Sequence, residues 1–413
     1  MRKRHYRRSN CRQCNSNNLT LAIKLKETPL ANSFVRKSEL NKMQTLYPLD
    51  VYFCNECKHL QLIDVIDPVY LYKNYLYVSG TSNVFIKHFQ NYFEYIRENY
   101  FTNGLVIDIG SNDGTLMKFF KNDGYQVIGI EPAEKIANEA IKNGIPTLIE
   151  LFSKDLARKI LYQFGSASVI TANNVFAHID DPKVFLEGIK TLIKDKKGIF
   201  IVEVSYLLDV IKNSLFDTIY HEHLDYHSII SFNRFFENNG FEIFNIEHVD
   251  SHGGSVRIFT QLKRGQFDIS DSVVKFIKEE KELGLDNLTT YLNFSDKIKS
   301  LARELNSLLR TLKSKGKTIV GYGAPAKATT LLHHFDIGSD ILSYIVDDSK
   351  WKQNLYTPGM HIPIVSKQFL QENKPDYILI LAWNFSSSII KNNMDFHNSG
   401  GKFIIPLPKI EVI

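Results

Sequence analysis

Between residues 105 and 205, short apolar runs rich in β-branched residues alternate with longer amphipathic stretches. The runs have the length of strands, and the stretches between them repeat apolar residues at helical spacing. Strands that are apolar throughout are covered on both faces, which is typical of a parallel sheet between two layers of helices. The pattern predicts strands in LVIDIG, QVIGIEPA, PTLIE, ASVITANN and GIFIVEVS, with helices near 114–122, 133–142, 153–163 and 181–193.

The same periodicities predict further elements on either side of this unit. Residues 83–100 have helical spacing, with Ser82 or Asn83 as the N-cap. The runs FEIFNIEHVD and SVRIFTQLK predict a closing antiparallel pair that turns at Gly253 and Gly254. Residues 271–315 are charged and helical. A second, smaller α/β unit is predicted from the runs KTIVGYGAPAKATTLL, ILSYIVDDS, DYILILAW and KFIIPLP.

Composition narrows the class of protein. The 413 residues are 44% hydrophobic and 23% charged, which excludes wholesale disorder. No apolar run approaches the roughly 20 residues that cross a bilayer, and the basic start, Met1 to Arg8, lacks the apolar core of a secretory signal. We therefore expect a cytoplasmic protein with no membrane partner. A net charge of +5, from 50 basic and 45 acidic residues, is too balanced for a protein that binds a nucleic-acid polymer.

All four cysteines fall in two C-x-x-C pairs, Cys11 with Cys14 and Cys54 with Cys57. Two such pairs can supply four thiolates to one Zn²⁺ ion. The alternatives are a redox pair or disulfides, but a thioredoxin-type motif comes singly and a cytosolic chain keeps disulfides reduced. Four sulfur ligands leave no position for water or substrate, so the sequence predicts a structural zinc site. We expect His59, two residues past Cys57, to be solvated rather than a ligand.

A glycine-rich turn follows the first strand of the middle unit. It reads Asp108-Ile109-Gly110-Ser111-Asn112-Asp113-Gly114 and opens a helix, the place where doubly wound sheets bind nucleotides. Asn112 stands where a dinucleotide fingerprint has its middle glycine, which weakens that interpretation. Glu131 ends the next strand and can accept hydrogen bonds from both hydroxyls of a ribose. The pattern favours an adenosine that carries a compact charged group, the alternative being that Asp108 and Glu131 only cap helices.

A second glycine-rich turn opens the C-terminal α/β unit. It runs from Gly321 through Gly323 to Lys327, and it lacks a third glycine. Lys327 and the amides of the helix N-terminus could bind a phosphate. A tight strand-to-helix turn in a structural domain explains the same pattern equally well.

Residues 220–227, YHEHLDYH, contain three histidines, two acids and two tyrosines. Histidine and tyrosine together suit proton transfer, and a neighbouring carboxylate can orient an imidazole. The alternatives are a polar loop without chemistry and a metal site at His221, Glu222 and His223, whose spacing suits a helical metal motif poorly. The segment follows the fifth strand, so we expect it at the carboxyl edge of the sheet, where the first glycine turn also ends.

Six motifs occur in the order found in the sugar C-methyltransferases, which the chain resembles over nearly its whole length. They are the two C-x-x-C pairs, DIGSNDG, GIEPA, YHEHLDYHS, HGGSVRIF and GYGAPAKATTLL. The resemblance implies an α/β enzyme with a zinc-binding domain (1–75), a doubly wound S-adenosylmethionine-binding domain of class I methyltransferase type (76–265), a helical connector (266–315) and a smaller Rossmann-like domain (316–413).

The resemblance also implies roles for individual residues. The cofactor positions fall on Asp108, Gly110, Asn112, Gly114, Glu131, Asn173 and Asn174. The proton-handling positions fall on Tyr220, Glu222, His223 and a tyrosine of the run YKNYLYVSG, Tyr77 rather than Tyr75.

The implied reaction is S-adenosylmethionine-dependent C-methylation of a nucleotide-linked 4-keto-6-deoxy sugar, with C3 as the acceptor. Carbon methylation needs a base beside the ketone and a donor to the enolate oxygen. His223 is the predicted base, Glu222 its orienting carboxylate, and Tyr220 or Tyr77 the phenol donor; a tyrosinate base with His223 as acid is the reverse assignment. Two other functions fit the sequence, a nicotinamide-dependent oxidoreductase of nucleotide sugars and a zinc-stabilised binding module without turnover. The oligomeric state is left open.

Overall fold

A computed structural model describes residues 4–72, 80, 83–100, 104–193, 197–251 and 253–413. The first part of the chain is mostly strand. Its elements are β1 (His5–Arg7), β2 (Leu19–Lys24), β3 (Asp50–Cys54), β4 (Leu60–Leu62), β5 (Asp64–Ile66) and a short helix α1 (Pro68–Tyr72). β2, β3 and β4 form an antiparallel sheet, and β1 pairs with β5.

The middle part alternates helices and strands as the apolar pattern predicts. In order these are α2 (Asn83–Asn99), β6 (Leu105–Ile109), α3 (Thr115–Asn122), β7 (Gln126–Ile130), α4 (Glu134–Lys142), β8 (Thr147–Leu148), α5 (Lys154–Phe164), β9 (Ala167–Asn173), α6 (Pro182–Leu192), β10 (Ile199–Ser205), α7 (Leu207–Lys212), β11 (Asp225–Tyr226), α8 (Ile229–Asn238), β12 (Phe241–Val249) and β13 (Ser255–Leu262).

Seven of these strands form one sheet in the order β12-β13-β10-β9-β6-β7-β8. Its strands β6 to β10 are parallel, and β13 runs antiparallel between β10 and β12. All five residues of β6 are buried, because helices cover both faces of the sheet. The strand order changes direction at β6 and β9, which places a ligand crevice at the carboxyl ends of these two strands.

β11 does not join the seven-stranded sheet. It pairs with β4, so that the first sheet has the order β11-β4-β3-β2 and its edge strand comes from the polar segment 220–227. Asp225 lies opposite Gln61, and Tyr226 opposite Leu60.

Two long helices, α9 (Asp271–Leu283) and α10 (Leu288–Ser314), lead to the C-terminal unit. The remaining elements are β14 (Ile319–Tyr322), α11 (Ala326–His334), β15 (Ile345–Val346), β16 (Ile364–Val365), α12 (Lys367–Glu372), β17 (Tyr377–Ile380), α13 (Ser386–Lys391), α14 (Met394–Asn398), β18 (Lys402–Ile405) and β19 (Glu411–Val412). They form a six-stranded sheet, β16-β15-β14-β17-β18-β19, parallel except for β19.

The α/β fold class with a cysteine-bearing first part, a doubly wound middle sheet and a smaller C-terminal α/β unit is therefore confirmed. A continuous apolar core includes residues from the three larger sheets, among them Val51, Ile107 and Ile345. In the part of the chain that the structure describes, no helix is both long and apolar enough to cross a bilayer.

Candidate functional site

The four cysteine sulfurs lie within 4.8 Å of one another. Cys11 Sγ is 3.5 Å from Cys57 Sγ, and Cys14 Sγ is 3.6 Å from Cys54 Sγ. Four thiolates around a tetrahedral Zn²⁺ at about 2.3 Å lie about 3.8 Å apart, so the cluster fits this ion. Among the described residues, these cysteines are the only group of three or more metal-ligating side chains placed this closely.

Both C-x-x-C turns close in the same way. The amide of the residue after the second cysteine donates to the carbonyl of the first, from Asn15 to Cys11 and from Lys58 to Cys54, at 2.9 Å in each turn. Asn15 and Lys58 have φ angles of 61° and 67°. The left-handed residue turns the chain back so that both sulfurs of each pair face the same point.

The expectation for His59 is wrong. Its ring is fully buried, and Nε2 lies 2.5 Å from Asp225 Oδ1 of β11. His59 therefore holds the polar segment against the zinc-binding sheet instead of facing solvent.

The first glycine turn contains three positions with left-handed backbone. Gly110, Asn112 and Gly114 have φ angles of 73°, 50° and 77°. Asparagine tolerates this left-handed region, so Asn112 continues the turn where a glycine was expected. A Cβ on Gly110 would lie 2.3 Å from Val175 Cγ2, which excludes any side chain there.

Glu131 ties this turn to the neighbouring strand end. Its Oε2 accepts from the amide of Asn112 at 3.0 Å, and its Oε1 from the amide of Ala133 at 2.8 Å. Burial raises its pKa. Each carboxylate oxygen keeps a further lone pair, which two adjacent hydroxyls of a ligand could use.

Asp108 and the two asparagines after β9 lie beside the same turn. Asp108 Oδ1 accepts from Thr171 Oγ1 at 2.6 Å and lies 3.5 Å from Asn173 Nδ2, and burial raises the pKa of Asp108 to about 7. Within the part of the chain that the structure describes, Asn173 Oδ1 is buried without a hydrogen-bond partner, which leaves it available to a donor on a bound molecule. The amide of Asn174 donates to the carbonyl of Glu203 at 2.7 Å.

Tyr220 and His223 form a hydrogen-bonded pair. His223 Nδ1 is 2.8 Å from the carbonyl oxygen of Thr218, which can only accept, so Nδ1 carries the ring proton. Nε2 is then the acceptor, and Tyr220 donates its hydroxyl proton to it at 2.9 Å. Burial lowers the pKa of His223 to about 4, so the ring is neutral at physiological pH and can accept a proton.

Glu222 does not orient His223, which corrects the arrangement expected from the sequence. Its Oε1 accepts from Asn32 Nδ2 at 2.7 Å, and the Thr218 carbonyl takes the position expected for the carboxylate. Adjacent residues of a loop point in different directions, so Glu222 faces the zinc-binding part. Burial raises the pKa of Glu222 to about 7, which makes its protonated form accessible near neutrality.

His221 also contacts the first part of the chain. Its Nε2 lies 3.3 Å from the carbonyl oxygen of Tyr47 and 3.2 Å from that of Pro48. These contacts engage Nε2 with backbone carbonyls of the first part and argue against the alternative of a metal site at His221, Glu222 and His223.

Sequence reasoning missed His178. It ends a short 3-10 helix, Phe176–His178, directly after β9, and its ring centroid lies 5.2 Å from that of His223. Burial and the neighbouring His223 lower the pKa of His178 to about 3, so the site holds two neutral imidazoles. The available signal was position, since a histidine after the fourth strand reaches the edge where the fifth strand also ends.

The carboxyl ends of β9 and β10 and the polar segment meet at one small cavity of about 30 Å³. Its walls include Asn174 and Ser205 from strand ends and Thr218 and His223 from the segment before β11. The polar segment therefore lies at the carboxyl edge of the sheet, as expected. Tyr77 and Tyr75 lie outside the described residues.

The second glycine turn is engaged in packing. The amide of Ala324 donates to Asp347 Oδ2 at 2.7 Å. Lys327 Nζ donates to Asn384 Oδ1 at 2.7 Å and lies 3.5 Å from the centroid of the Trp383 ring. The Lys327 ammonium is therefore engaged in contacts inside the protein.

Three family models match the chain: a zinc binding domain at residues 11–72, a methyltransferase domain at 86–246 and a C-methyltransferase C-terminal domain at 250–408. The C-methyltransferase NovU of Streptomyces niveus is 33% identical over 405 residues, which cover 98% of this chain and 96% of the relative. The chain belongs to the C-methyltransferase family. It is an S-adenosylmethionine-dependent C-methyltransferase with a zinc-binding four-cysteine cluster. Of the three functions that fit the sequence, the family supports this one.

Solved structures of other methyltransferases also resemble the C-methyltransferase chain. Magnesium protoporphyrin IX methyltransferase from Synechocystis PCC 6803 is 14% identical, with a TM-score of 0.32, over 43% of this chain and 79% of its own. An S-adenosylmethionine-dependent methyltransferase from Clostridium acetobutylicum is 9% identical, with a TM-score of 0.33, over 42% and 90%. The family assignment does not depend on these likenesses.

Proposed function

We propose that this C-methyltransferase methylates C3 of a nucleotide-linked 4-keto-6-deoxy sugar through an enolate. The observation that carries the proposal is the Tyr220–His223 hydrogen bond beside a cavity that Asn174 also lines. A proton-accepting pair is needed because carbon next to a ketone becomes nucleophilic only after it loses a proton.

His223 accepts a proton through Tyr220 in this mechanism. Its Nε2 lone pair is held by the Tyr220 hydroxyl, so the pair acts as a unit: the Tyr220 oxygen takes the C3 proton while its own proton passes to Nε2. The Thr218 carbonyl stabilises the resulting imidazolium through Nδ1. This relay joins the two assignments of the base that the sequence left open.

The enolate oxygen needs a donor while the new carbon–carbon bond forms. The proposed donor is Tyr77, because the Glu222 carboxyl binds Asn32 and faces the zinc-binding part. S-adenosylmethionine supplies an electrophilic methyl group when it is bound. Glu131 and Asp108 would hold its ribose and charged ends, with Gly110, Asn112, Gly114, Asn173 and Asn174 shaping the surface against it.

The test is entry of solvent deuterium into the sugar. The zinc-loaded enzyme, incubated in heavy water with S-adenosylhomocysteine and a keto-sugar nucleotide, should exchange the C3 proton. His223→Ala and Tyr220→Phe should each slow exchange by about 100-fold or more, the usual contribution of a general base.

Tyr162→Phe is the matched control, because Tyr162 lies on α5, is 93% exposed and does not line this cavity. It should exchange within a few-fold of the wild-type rate. Absence of exchange by the intact enzyme across a panel of keto-sugar nucleotides would remove the base from the mechanism. Exchange by His223→Ala at the wild-type rate would do the same.

A further inference from the structure

The two neutral imidazoles of the site belong to different stretches of chain. His178 ends the 3-10 helix after β9, and His223 lies in the segment before β11. One backbone hydrogen bond joins the stretches, from the amide of Leu224 to the carbonyl of Ala177 at 2.7 Å. Leu224 directly follows His223, and Ala177 directly precedes His178.

The carbonyl of Leu224 accepts from the amide of Leu62 at 2.9 Å and also from the side chain of Arg12. Its Nη1 donates to the carbonyl of Leu224 at 3.0 Å and to that of Leu62 at 2.6 Å. Its Nη2 donates to Asp180 Oδ1 at 3.4 Å. One guanidinium thus contacts the residue after His223 and a residue two positions after His178.

Arg12 is itself placed by the first C-x-x-C turn, since it follows Cys11 directly. Its side chain is fully buried, and Gln61 Oε1 accepts from both its amide, at 3.1 Å, and Nη1, at 3.2 Å. The planar fork of a guanidinium can bind several oxygens at fixed angles, which the single ammonium of a lysine cannot. The metal-bound turn therefore fixes where this fork lies.

We infer that Arg12 is a positioning residue for the reaction: it transmits the geometry of the zinc-bound cysteine turn to the spacing of His178 and His223. This inference rests on the proposed function, because it assigns proton transfer to His223. It links the metal to the reaction indirectly, through Arg12, without contact between the metal and the substrate or cofactor.

The experiment uses the full-length, zinc-loaded protein with Arg12→Gln. We expect kcat for methyl transfer and the rate of solvent exchange to fall by about 100-fold, the scale expected when reacting groups are misplaced by about 1 Å. KM for the sugar, the Kd of S-adenosylmethionine by calorimetry and one zinc per chain should change little. Added guanidinium should restore part of kcat to Arg12→Ala, and Arg12→Lys should not restore it.

Arg8→Gln and Arg7→Gln are the matched controls. Arg8 donates to the carbonyl and carboxylate of Asp180, at 3.0 and 2.9 Å, and Arg7 contacts Tyr52 and Asp64. We expect Arg7→Gln to behave as wild type. Arg8→Gln should lower kcat by less than about tenfold, since Arg12 still spans both stretches.

If the Arg12 variants lose zinc, Asp180→Asn in the Arg8→Gln background tests the inference instead. This substitution changes the acceptor of the hydrogen bond from Arg12 Nη2 and leaves Arg12 in place. A further fall in kcat of about tenfold supports the inference, and kcat equal to that of Arg8→Gln overturns it. A kcat of Arg12→Gln within about threefold of wild type overturns it as well. A wild-type enzyme that shows no solvent exchange defeats the proposed function instead, so the two failures are distinct.

Discussion

A backbone carbonyl, rather than a carboxylate, determines which tautomer His223 adopts. Thr218 fixes the tautomer, and burial keeps the ring neutral. A carbonyl stabilises an imidazolium less than a carboxylate does, so in the proposed mechanism the protonated ring would return its proton readily. A site that must deprotonate carbon and then reset gains from this balance.

The burial of His223 should be visible in the pH dependence of solvent exchange into the sugar. An ordinary histidine with a pKa near 6.5 goes from mostly neutral to mostly protonated between pH 7.5 and 5.5. Because the pKa of His223 is lowered to about 4, we expect the exchange rate at saturating cofactor not to fall across that range. Zinc content should be checked at each pH, since acid releases zinc from thiolates. A loss of activity centred near pH 6.5 would contradict the prediction.

A buried ion pair joins Glu203 of β10 to Arg257 of β13. Arg257 donates to Glu203 Oε2 through Nε at 3.0 Å and Nη2 at 2.8 Å, and Arg257 lies 3.6 Å over the Tyr92 ring. Burial would raise the pKa of Glu203, but Arg257 and then His88 outweigh it and lower the pKa to about 2. The paired carboxylate therefore stabilises the fold above about pH 4, and this contribution is lost as the pH falls toward 2.

Glu203→Gln should lower the free energy of unfolding at pH 7 by about 1.5–3 kcal/mol, because Arg257 loses its buried counter-charge and keeps only Glu247, whose Oε2 lies 3.2 Å from Nη1. Amide hydrogen exchange of β10 and β13 measures this locally. The double variant with Arg257→Met should recover part of the loss. The difference between wild type and Glu203→Gln should shrink as the pH drops from about 5 toward 2, and a constant difference would disprove the pairing.

At the scale of elements, the apolar periodicity of the sequence predicted the helices and strands that local interactions form. The helices and strands of the middle part follow from apolar periodicity and caps, such as Ser153, whose hydroxyl accepts from the amide of Leu156 at the start of α5. β11 could not be predicted, since a strand of two residues exists only through its partner β4, more than 160 positions earlier. The same distance hid the contact of Glu222 with Asn32 and the burial of His59.

Because β11 is an edge strand of the zinc-binding sheet, metal removal should be felt in the polar segment. We expect EDTA treatment, or Cys54→Ser, to speed amide hydrogen exchange in β2, β3, β4 and residues 221–227. Strands β6 and β7 and the Kd of S-adenosylmethionine should change little, because the glycine turn lies in the other sheet. Readdition of zinc should reverse the effect of EDTA only. Loss of cofactor affinity before the change in β11 would contradict this order.

At the scale of the whole molecule, the segment before β11 lies between the zinc-binding sheet and the C-terminal unit. On the C-terminal side, Thr330 Oγ1 of α11 donates to the carbonyl of Ile219 at 2.7 Å, and the rings of Phe216 and Phe335 stack at 4.9 Å. The three sheets thus converge on residues 216–227. The three units could be predicted from the order of elements along the chain. Their packing against one segment could not be predicted, because it depends on surfaces that form only when the units have folded.

Trp383 is the contact through which this convergence can be tested. Its Nε1 donates to Asp217 Oδ2 at 2.6 Å, and Asp217 is buried three residues before Tyr220. Trp383→Phe leaves that carboxylate without its indole donor, at a cost of about 1–3 kcal/mol. We expect faster hydrogen exchange in α11 and residues 216–219, a lower Tm and a reduced kcat, with β6 to β9 unchanged. Trp351→Phe is the matched control, since Trp351 is 72% exposed, and it should match wild type in all three measurements. If Trp383→Phe lowers Tm but leaves kcat and the exchange of 216–219 at wild-type values, the C-terminal unit stabilises the protein without positioning the site.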